Sequence, residues 1–315
     1  MSSTFSNWKS DNYKFVGKAF DTAYADRLNR LSPVVGEVNA KSIDYELTGS
    51  GGYGELAAYT GTLYEGSLHR GFKTIITPDE FSLSIPVDYK KAVVDRMGET
   101  RKVGTKLGDS AAMTVYLHLL RMFANAFNTD GLHNGGDGVP WASAAHPVAS
   151  KGSAGRRFVV DPEAGTYSNL IDEALSVSAI TRAQSMSNRF ITPDGLPFLC
   201  EMDTLLVSPE LEATAKQICG DNARLYPDQT EHVNPVSDLQ YIVVGGGKDG
   251  FGAGTWAVCD RRLMKELVNI VYITRPRVLR TQLDNPLKDM YIAYVDFGVG
   301  WGDARQIIFS TGESA

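Results

Sequence analysis

The stretch Asp203–Gly220, DTLLVSPELEATAKQICG, joins a strand signal directly to a helix signal. Its first five residues contain a continuous apolar run, which is typical of a short buried strand. Ser208 is then a favourable N-cap, Pro209 suits the first helical position, and Glu210 complements the helix dipole. Gly220 stands just past the end of the helical pattern. The stretch therefore predicts a strand followed by a helix within one folded body.

Two other parts of the chain have the pattern of β structure. Between Ile43 and Val87 apolar residues alternate with polar ones, and seven glycines fall between positions 49 and 71. This pattern predicts a protruding two-stranded ribbon, which buries too little apolar area to be stable alone and needs a neighbour to lie on. From Leu239 to Phe309 strand signals predominate, in the segments YIVV, TWAV, VNIVYIT, DMYIAYVDFG and ARQIIF.

A long amphipathic helix is predicted in the middle of the chain. The residues after Asp88 have a helical pattern, and we interpret the glycines at 98, 104 and 108 as interruptions. Asp109 is then the predicted N-cap of SAAMTVYLHLLRMFANAF, and a second helix is predicted from Ser168. Helices and strands together predict the α+β class. The apolar stripe of the long helix consists of Ala111, Val115, Leu119, Met122 and Ala126.

Composition restricts the class of protein. The 315 residues are 43% apolar and 22% charged, which is ordinary for a folded protein of two lobes, or of one lobe with long excursions. A net charge of −6 argues against a surface devoted to nucleic acid phosphates. Cys200, Cys219 and Cys259 are widely spaced and predict small buried residues in a reduced compartment. No signal peptide or membrane span is recognisable, so we expect folding in the cytosol.

One motif could indicate a nucleotide-binding enzyme. Gly245–Gly250 matches G-x-G-x-x-G directly after an apolar run. The motif binds a pyrophosphate only where a helix follows, because the helix N-terminus supplies the amide donors. Two more glycines and the β-prone segment TWAV follow instead, which favours a hairpin between two strands. The hairpin is our prediction, and the nucleotide-binding enzyme is the alternative.

No catalytic, cofactor-binding or metal-binding residues are predicted. The five histidines lack a metal-ligand spacing, and the loop NTDGLHNGGDG lacks the ligand alternation of an EF-hand. His118 is predicted to lie at the boundary of the apolar stripe. Nucleophile motifs are absent. Arg275, Arg277 and Arg280 are predicted to form ion pairs between subunits, with phosphate binding as the alternative.

The order of these segments resembles a known family. A β-ribbon, TPDEFSLSIPVDYKKAVVDRM, a long helix ending in AFNTDG, then DGVPWASAAHP, GLPFLCEMDTLLVSPELEATAKQI and a closing GWGDARQIIFSTG follow one another. This sequence resembles the major capsid proteins of tailed phages, which have the Hong Kong-type capsid fold, and it looks closest to Mu-like head subunits. The resemblance covers about Gly54 to Thr311.

The resemblance implies a division of the chain into regions. Gly108 to Asn128 resembles the spine helix, and the Gly245–Gly254 hairpin would be one excursion of the axial domain. The implied regions are an N-terminal arm (1–42), an extended loop (43–87), a peripheral domain with the spine helix (88–197), an axial domain (198–280) and a return to the peripheral domain (281–315).

The resemblance also implies a function. Each subunit would lend its arm and ribbon to neighbours, so that hexamers and pentamers form an icosahedral shell around double-stranded DNA in the virion. The ribbon would then depend on oligomerisation for its order. The implied partners are other copies of the chain, a separate scaffold or protease, a portal and decoration proteins, with assembly in the host cytoplasm. An encapsulin-like compartment shell and a phage tail or baseplate protein are the alternatives, and no enzymatic activity or cofactor is expected.

Overall fold

The computed structural model describes most of the chain in segments separated by short gaps. The described residues are 3–27, 30–49, 59, 61, 72–88, 98–130, 134–148, 166–192, 196–219, 234–246, 248–282 and 288–312. Residues 50–71 of the predicted extended loop lie outside them apart from Tyr59 and Gly61, and so does Gly220.

Five α-helices and fifteen strands are present in these segments. The helices are α1 (Ser3–Arg27), α2 (Gly98–Ala124), α3 (Val177–Ser187), α4 (Glu212–Ile218) and α5 (Arg261–Leu267). The strands are β1 (Gly36–Asn39), β2 (Tyr45–Thr48), β3 (Lys73–Ile76), β4 (Asp79–Asp88), β5 (His146–Pro147), β6 (Thr166–Tyr167), β7 (Leu170–Ile171), β8 (Thr204–Val207), β9 (Gln240–Val243), β10 (Gly245–Gly246), β11 (Asp249–Gly250), β12 (Trp256–Cys259), β13 (Val268–Gln282), β14 (Lys288–Trp301) and β15 (Ile307–Ser310).

A four-stranded sheet in the order β1-β13-β14-β4 forms one part of the body. The long antiparallel pair β13 and β14 is its centre, and its register shifts between Tyr272 and Arg277. β4 pairs with β14 along its whole length, from Asp79 opposite Phe297 to Asp88 opposite Lys288. The alternating segment that we assigned to the ribbon therefore ends in a strand of this sheet. Of the described strands in that segment, only β2 and β3 form a separate two-stranded unit.

A five-stranded sheet in the order β7-β15-β12-β8-β9 forms the second part. Its central strands are buried on both faces, which explains their continuous apolar sequences. Leu205 and Val207 of β8 face a core with α3 and α4, whereas Leu206 faces the core of α2. The predicted strand–helix unit is confirmed, with one change at its junction. Pro209–Leu211 forms a 3-10 turn before α4, and the Ser208 side chain makes no capping hydrogen bond.

α2 is longer than predicted because its glycines serve packing. It begins at Gly98, so Asp109 lies inside the helix and the prediction of an N-cap there is wrong. A Cβ on Gly104 would lie 2.6 Å from the carbonyl oxygen of Val16, and one on Gly108 would lie 2.5 Å from that of Phe20. The two glycines let α1 and α2 run side by side in the same direction at close approach.

The predicted N-terminal arm (1–42) contains α1 and β1, and one face of α1 packs on its own chain. Val16 and Phe20 are buried in a cluster with Leu107 and Tyr291. The Tyr13 hydroxyl donates to the carbonyl oxygen of Val278 at 2.9 Å. This part of the arm therefore contributes to the core of its own subunit, contrary to the expectation that the arm lies on a neighbour.

Three further details differ from the sequence predictions. The helix expected from Ser168 begins only at Val177, because Leu170 and Ile171 pair with β15 as strand β7. The strands β9 and β12 on either side of the glycine-rich segment do not pair with each other, because β8 lies between them. α5 was not predicted, although Asp260 caps it by accepting from the Leu263 amide at 3.0 Å.

Candidate functional site

The base of the ribbon lies on a row of glycines. We call β2 and β3 the ribbon base, and Gly298, Gly300 and Gly302 of the segment beneath it the glycine platform. A Cβ on Gly300 would lie 2.6 Å from the Ile76 side chain, and one on Gly302 would lie 2.7 Å from that of Leu47. Ile76 and Leu47 are buried there together with Val271. The platform therefore holds the ribbon base at a fixed place on the body.

The pairing of the ribbon base continues to the last described residues beside the segment 50–71. The Gly49 amide donates to the carbonyl oxygen of Phe72 at 2.8 Å, which continues the pairing of β2 and β3 by one step. Lys73 and Glu46 form an exposed cross-strand ion pair. On the outer side of β3, the Ile75 side chain is 57% exposed. The segment 50–71 is therefore attached through a short, defined stem.

The loop DGVPWASAAHP supports the platform from below. Its Trp141 stacks on Trp301 with ring centroids 5.7 Å apart and an angle of 11° between the planes. Gly135 lies where any side chain would collide with the Trp301 ring. The Gly136 amide donates to the Thr74 hydroxyl of β3 at 3.0 Å. The loop thus contacts the platform strand through Trp141, and the two glycines directly before it contact Trp301 and the ribbon base.

A buried polar network fixes this loop, and His146 is at its centre. His146 is fully buried, with Nδ1 2.7 Å from an Asp137 carboxylate oxygen. Its Nε2 lies 3.2 Å from the Trp141 carbonyl oxygen and 3.1 Å from Asn169 Oδ1. Both ring nitrogens therefore lie within hydrogen-bonding distance of oxygen atoms. The Tyr167 ring stacks on the imidazole at 5.1 Å.

Asn169 links the loop to the last part of the chain. Its buried side-chain amide donates to the carbonyl oxygens of Trp141 at 2.7 Å, Ala304 at 3.3 Å and Ile307 at 3.3 Å. Its Oδ1 accepts from the Ser143 amide at 2.9 Å. One side chain thus satisfies backbone groups of two segments that lie more than 130 residues apart.

A buried ion pair completes the network. Arg305 and Asp303 are both almost inaccessible, with Arg305 Nε 3.0 Å from Asp303 Oδ1. Burial alone would lower the pKa of Arg305, but the charge and hydrogen bonds of Asp303 raise the pKa above its ordinary value. Arg305 also donates to the Ile191 carbonyl oxygen at 2.8 Å. Burial, together with the Asp303 carboxylate, raises the pKa of Tyr167, so Arg305 stays charged and Tyr167 stays neutral near neutral pH.

The G-x-G-x-x-G segment forms a hairpin that packs on α2. Gly245 pairs with Gly250 and Gly246 with Asp249, as predicted for a turn between short strands. The Tyr116 hydroxyl of α2 lies 3.4 Å from the Gly245 carbonyl oxygen, and Arg121 Nε lies 3.2 Å from Asp249. Strand β12 is the next described element after the hairpin, so no helix begins directly after these glycines as the phosphate-binding motif requires. A hairpin is therefore present at the predicted glycines, but it joins the short strands β10 and β11 and not β9 and β12, and its contacts with α2 are additional.

The arginines, His118 and the cysteines named in the sequence analysis contact other residues of the same chain or are buried in it. Arg275 pairs with Glu37 at 2.9 Å and Arg280 pairs with Asp289 at 3.0 Å, so the expectation that they pair between subunits is wrong for these two. His118 makes edge contacts with the rings of Phe81 and Phe297, as expected for a boundary position. Cys219 and Cys259 are buried, Cys200 is half-buried, and burial raises the pKa of each thiol.

Sequence reasoning missed the buried network itself. Asp137, Trp141 and His146 stand within the motif that carried the resemblance, so a motif of Asp, Trp and His was visible. Asn169 gave no signal, because its partners are distant along the chain. Asp303 and Arg305 stand in the segment GWGDARQIIFSTG, but no local pattern predicts that this pair is buried. Within the described residues, no three His, Cys, Asp or Glu side chains come together in a group that could hold a metal ion. In the same part of the chain, no helix is both long and apolar enough to span a bilayer.

Comparison with known proteins gives the family. The sequence pattern of the family described as phage capsid protein matches residues 71–308. The chain belongs to this family. No curated protein sequence matches the chain. The match includes β3 of the ribbon base, the loop around His146 and the strands of both large sheets except β1 and the end of β15, and the predicted capsid shell function is thereby confirmed.

Solved structures show the same fold. The capsid of the native GTA particle is 13% identical, with a TM-score of 0.51 and 90% of each chain covered. The virus-like particle from Pyrococcus furiosus is 7% identical, with a TM-score of 0.53 and coverage of 95% of this chain and 98% of that one. The cyanophage A-1(L) capsid is 13% identical, with a TM-score of 0.52 and coverage of 91% and 93%. The predicted α+β capsid fold is therefore confirmed.

Proposed function

We propose that the chain is the major capsid subunit of a tailed phage and that it assembles into hexamers and pentamers of an icosahedral shell around double-stranded DNA. The observation that carries this proposal is the family match over residues 71–308. The geometry that supports it is the ribbon base fixed on the glycine platform, and we expect the segment 50–71 that it carries to contact other copies of the chain. Heterologous contacts of this kind close into rings.

The proposed mechanism of assembly depends on a ribbon base held rigidly on the body and on an interface between subunits. The tryptophan stack, the His146 network and the Asp303–Arg305 pair hold the stem and the body in one fixed orientation. A fixed exit direction sets the angle at which one subunit meets the next, and obligate interfaces bury on the order of 2,000 to 5,000 Å². A separate scaffold or protease, a portal and decoration proteins belong to the same proposal, as does assembly in the host cytoplasm.

The test is electron microscopy of particles purified from cells that express the chain. We expect closed icosahedral particles with rings of five and six subunits. Coexpression with the other head proteins of the phage should give particles whose DNA resists nuclease. Sheets, tubes or tail-like rods in place of closed particles would contradict the proposal.

A second candidate is a compartment that encloses cargo protein instead of DNA. The likeness to the virus-like particle from Pyrococcus furiosus supports this candidate through the fold alone. Mass spectrometry of purified particles separates the two. A single abundant non-capsid protein inside nucleic acid-free particles would favour the compartment, and protected DNA would favour the phage head.

A further inference from the structure

Asp296 has a carboxylate oxygen without a partner. The residue lies in the interior strand β14 and is 7% exposed, and its Oδ1 is buried with no hydrogen bond from any described residue. A buried carboxylate oxygen normally accepts at least one hydrogen bond, because desolvation without compensation is costly. The isolated subunit therefore leaves this group incomplete.

Two acidic residues beside Asp296 increase the free-energy cost of burying its charge. Glu80 of β4 stands directly opposite it in the antiparallel pair, and Asp79 is the next residue. Like charges at opposed positions of a sheet repel each other. Burial, with the charges of Glu80 and Asp79, raises the pKa of Asp296 above its ordinary value. Arg277, which stands opposite Tyr294 on β13, lies over the Tyr294 ring at 5.8 Å.

The free energy of this arrangement depends on pH with a definite sign. A carboxyl whose pKa is raised by folding favours the folded state when protonated, and that stability is lost as the pH rises through the raised value. The unassembled subunit is thus destabilised by Asp296 at neutral pH. A cation placed beside Asp296 and Glu80 would remove the penalty.

A matching basic surface lies on the other side of the same sheet. Tyr291, Ala293, Val295 and Phe297 of β14 face α1 and α2, so Asp296 faces away from these helices. α1 and the first half of α2 carry exposed basic side chains that form no ion pair with any described residue, and Asp21 and Asp109 border them. These side chains, which we call the basic helix surface, are Lys14, Lys18, Arg101, Lys102 and Lys106.

We propose that the exposed Glu80 of one subunit, which stands opposite Asp296, receives a lysine or arginine side chain from the basic helix surface of a second copy, whose charge offsets that of the buried Asp296 without a direct contact. A free metal ion is a poorer candidate, because the described carboxylates, histidines and cysteines do not form a metal-binding group. Two complementary patches at different places on one chain make a heterologous contact, the type that closes rings. This inference rests on the proposed shell function.

The first test compares subunit stability with assembly. Asp296→Asn and Glu80→Gln should raise the urea midpoint of the unassembled chain, because each removes a repulsive charge. The same variants should raise the threshold subunit concentration for shell formation about 2- to 5-fold at low salt, and the increase should shrink in high salt. Glu201→Gln, an equal charge change at an exposed site, should alter neither measurement. Unchanged thresholds in both variants would overturn the inference.

The second test is a charge exchange. Glu80→Lys should prevent or strongly impair shell formation, and a reversal at one basic position, such as Lys102→Glu or Lys106→Glu, should restore it. If none of the five reversals rescues Glu80→Lys, the inference is wrong. If the unaltered chain itself never forms closed particles, the proposed function fails instead, so the two failures are distinguishable.

Discussion

At the residue scale, single buried polar side chains connect parts of the chain that are distant in sequence. Asn169 satisfies backbone groups of the loop 134–148 and of the last segment with one amide. Arg305 joins Asp303 to the Ile191 carbonyl oxygen and lies over the ring of Phe198 at 4.4 Å. Each is buried, so the loss of one partner leaves the others without water as a substitute.

Asn169→Leu should destabilise the unassembled chain strongly. The substitution keeps the volume of the side chain but leaves the Ser143 amide and the Trp141 carbonyl oxygen unsatisfied. We expect the free energy of unfolding to fall by about 2–5 kcal/mol, measured by urea denaturation. Asn188→Leu, at an exposed position after α3, is the matched control and should change it by less than about 0.5 kcal/mol. Equal effects of the two substitutions would contradict the role given to Asn169.

Arg305→Met should lower the free energy of unfolding more than removal of both charges of the Asp303–Arg305 pair does. Removal of the guanidinium leaves the Asp303 carboxylate buried and uncompensated, a situation that costs about 3–5 kcal/mol. Combining it with Asp303→Asn removes the stranded charge and should restore part of that stability. A double-mutant cycle in urea measures both. Additive losses would show that the two side chains act independently.

At the element scale, glycines decide how α1 and the ribbon base attach to the body. Gly104 and Gly108 were visible in the sequence, but an isolated glycine in a helical pattern reads locally as an interruption. Their function depends on Val16 and Phe20, some 90 residues earlier, so no local pattern could reveal it. The same holds for the platform beneath Ile76 and Leu47.

Gly108→Ala should destabilise the chain although alanine is the better helix former. The new methyl group would lie 2.5 Å from the Phe20 carbonyl oxygen and 3.0 Å from the Ala23 Cβ, which forces α1 away from α2. Gly17→Ala in α1 is the control, because nothing lies within 4 Å of its Cβ position and the substitution should stabilise by about 0.5–1 kcal/mol. Thermal unfolding should therefore show shifts of opposite sign. Stabilisation by both substitutions would contradict the close approach of α1 and α2 at Gly108.

Gly300→Ala should displace the ribbon base, and a smaller partner should rescue it. A Cβ at this position would lie 2.6 Å from two atoms of the Ile76 side chain. Gly300→Ala should lower the yield of shells, Ile76→Val combined with it should recover much of that yield, and Gly252→Ala, with nothing closer than 3.6 Å, should have no effect. Particle yield after gradient centrifugation is the measurement. Full yield from Gly300→Ala alone would contradict the close contact.

At the scale of the whole molecule, the sequence predicts the elements better than their partners. The apolar stripe of α2 and the runs of β8, β12 and β15 are visible because burial leaves a local period. The sheet order and the His146 network are invisible, because they depend on pairs of residues far apart in the chain. The predicted region boundaries stay predictions, as does the role of the segment 50–71.

Sedimentation velocity of the purified full chain over a range of concentrations tests most directly whether the chain completes itself with its own copies. The account predicts two boundaries, a slow one for free subunits or single rings and a fast one for closed particles of uniform size. The fast boundary should grow above a threshold concentration. A single slow boundary for a monomer at every concentration, with or without the other head proteins of the phage, would contradict it.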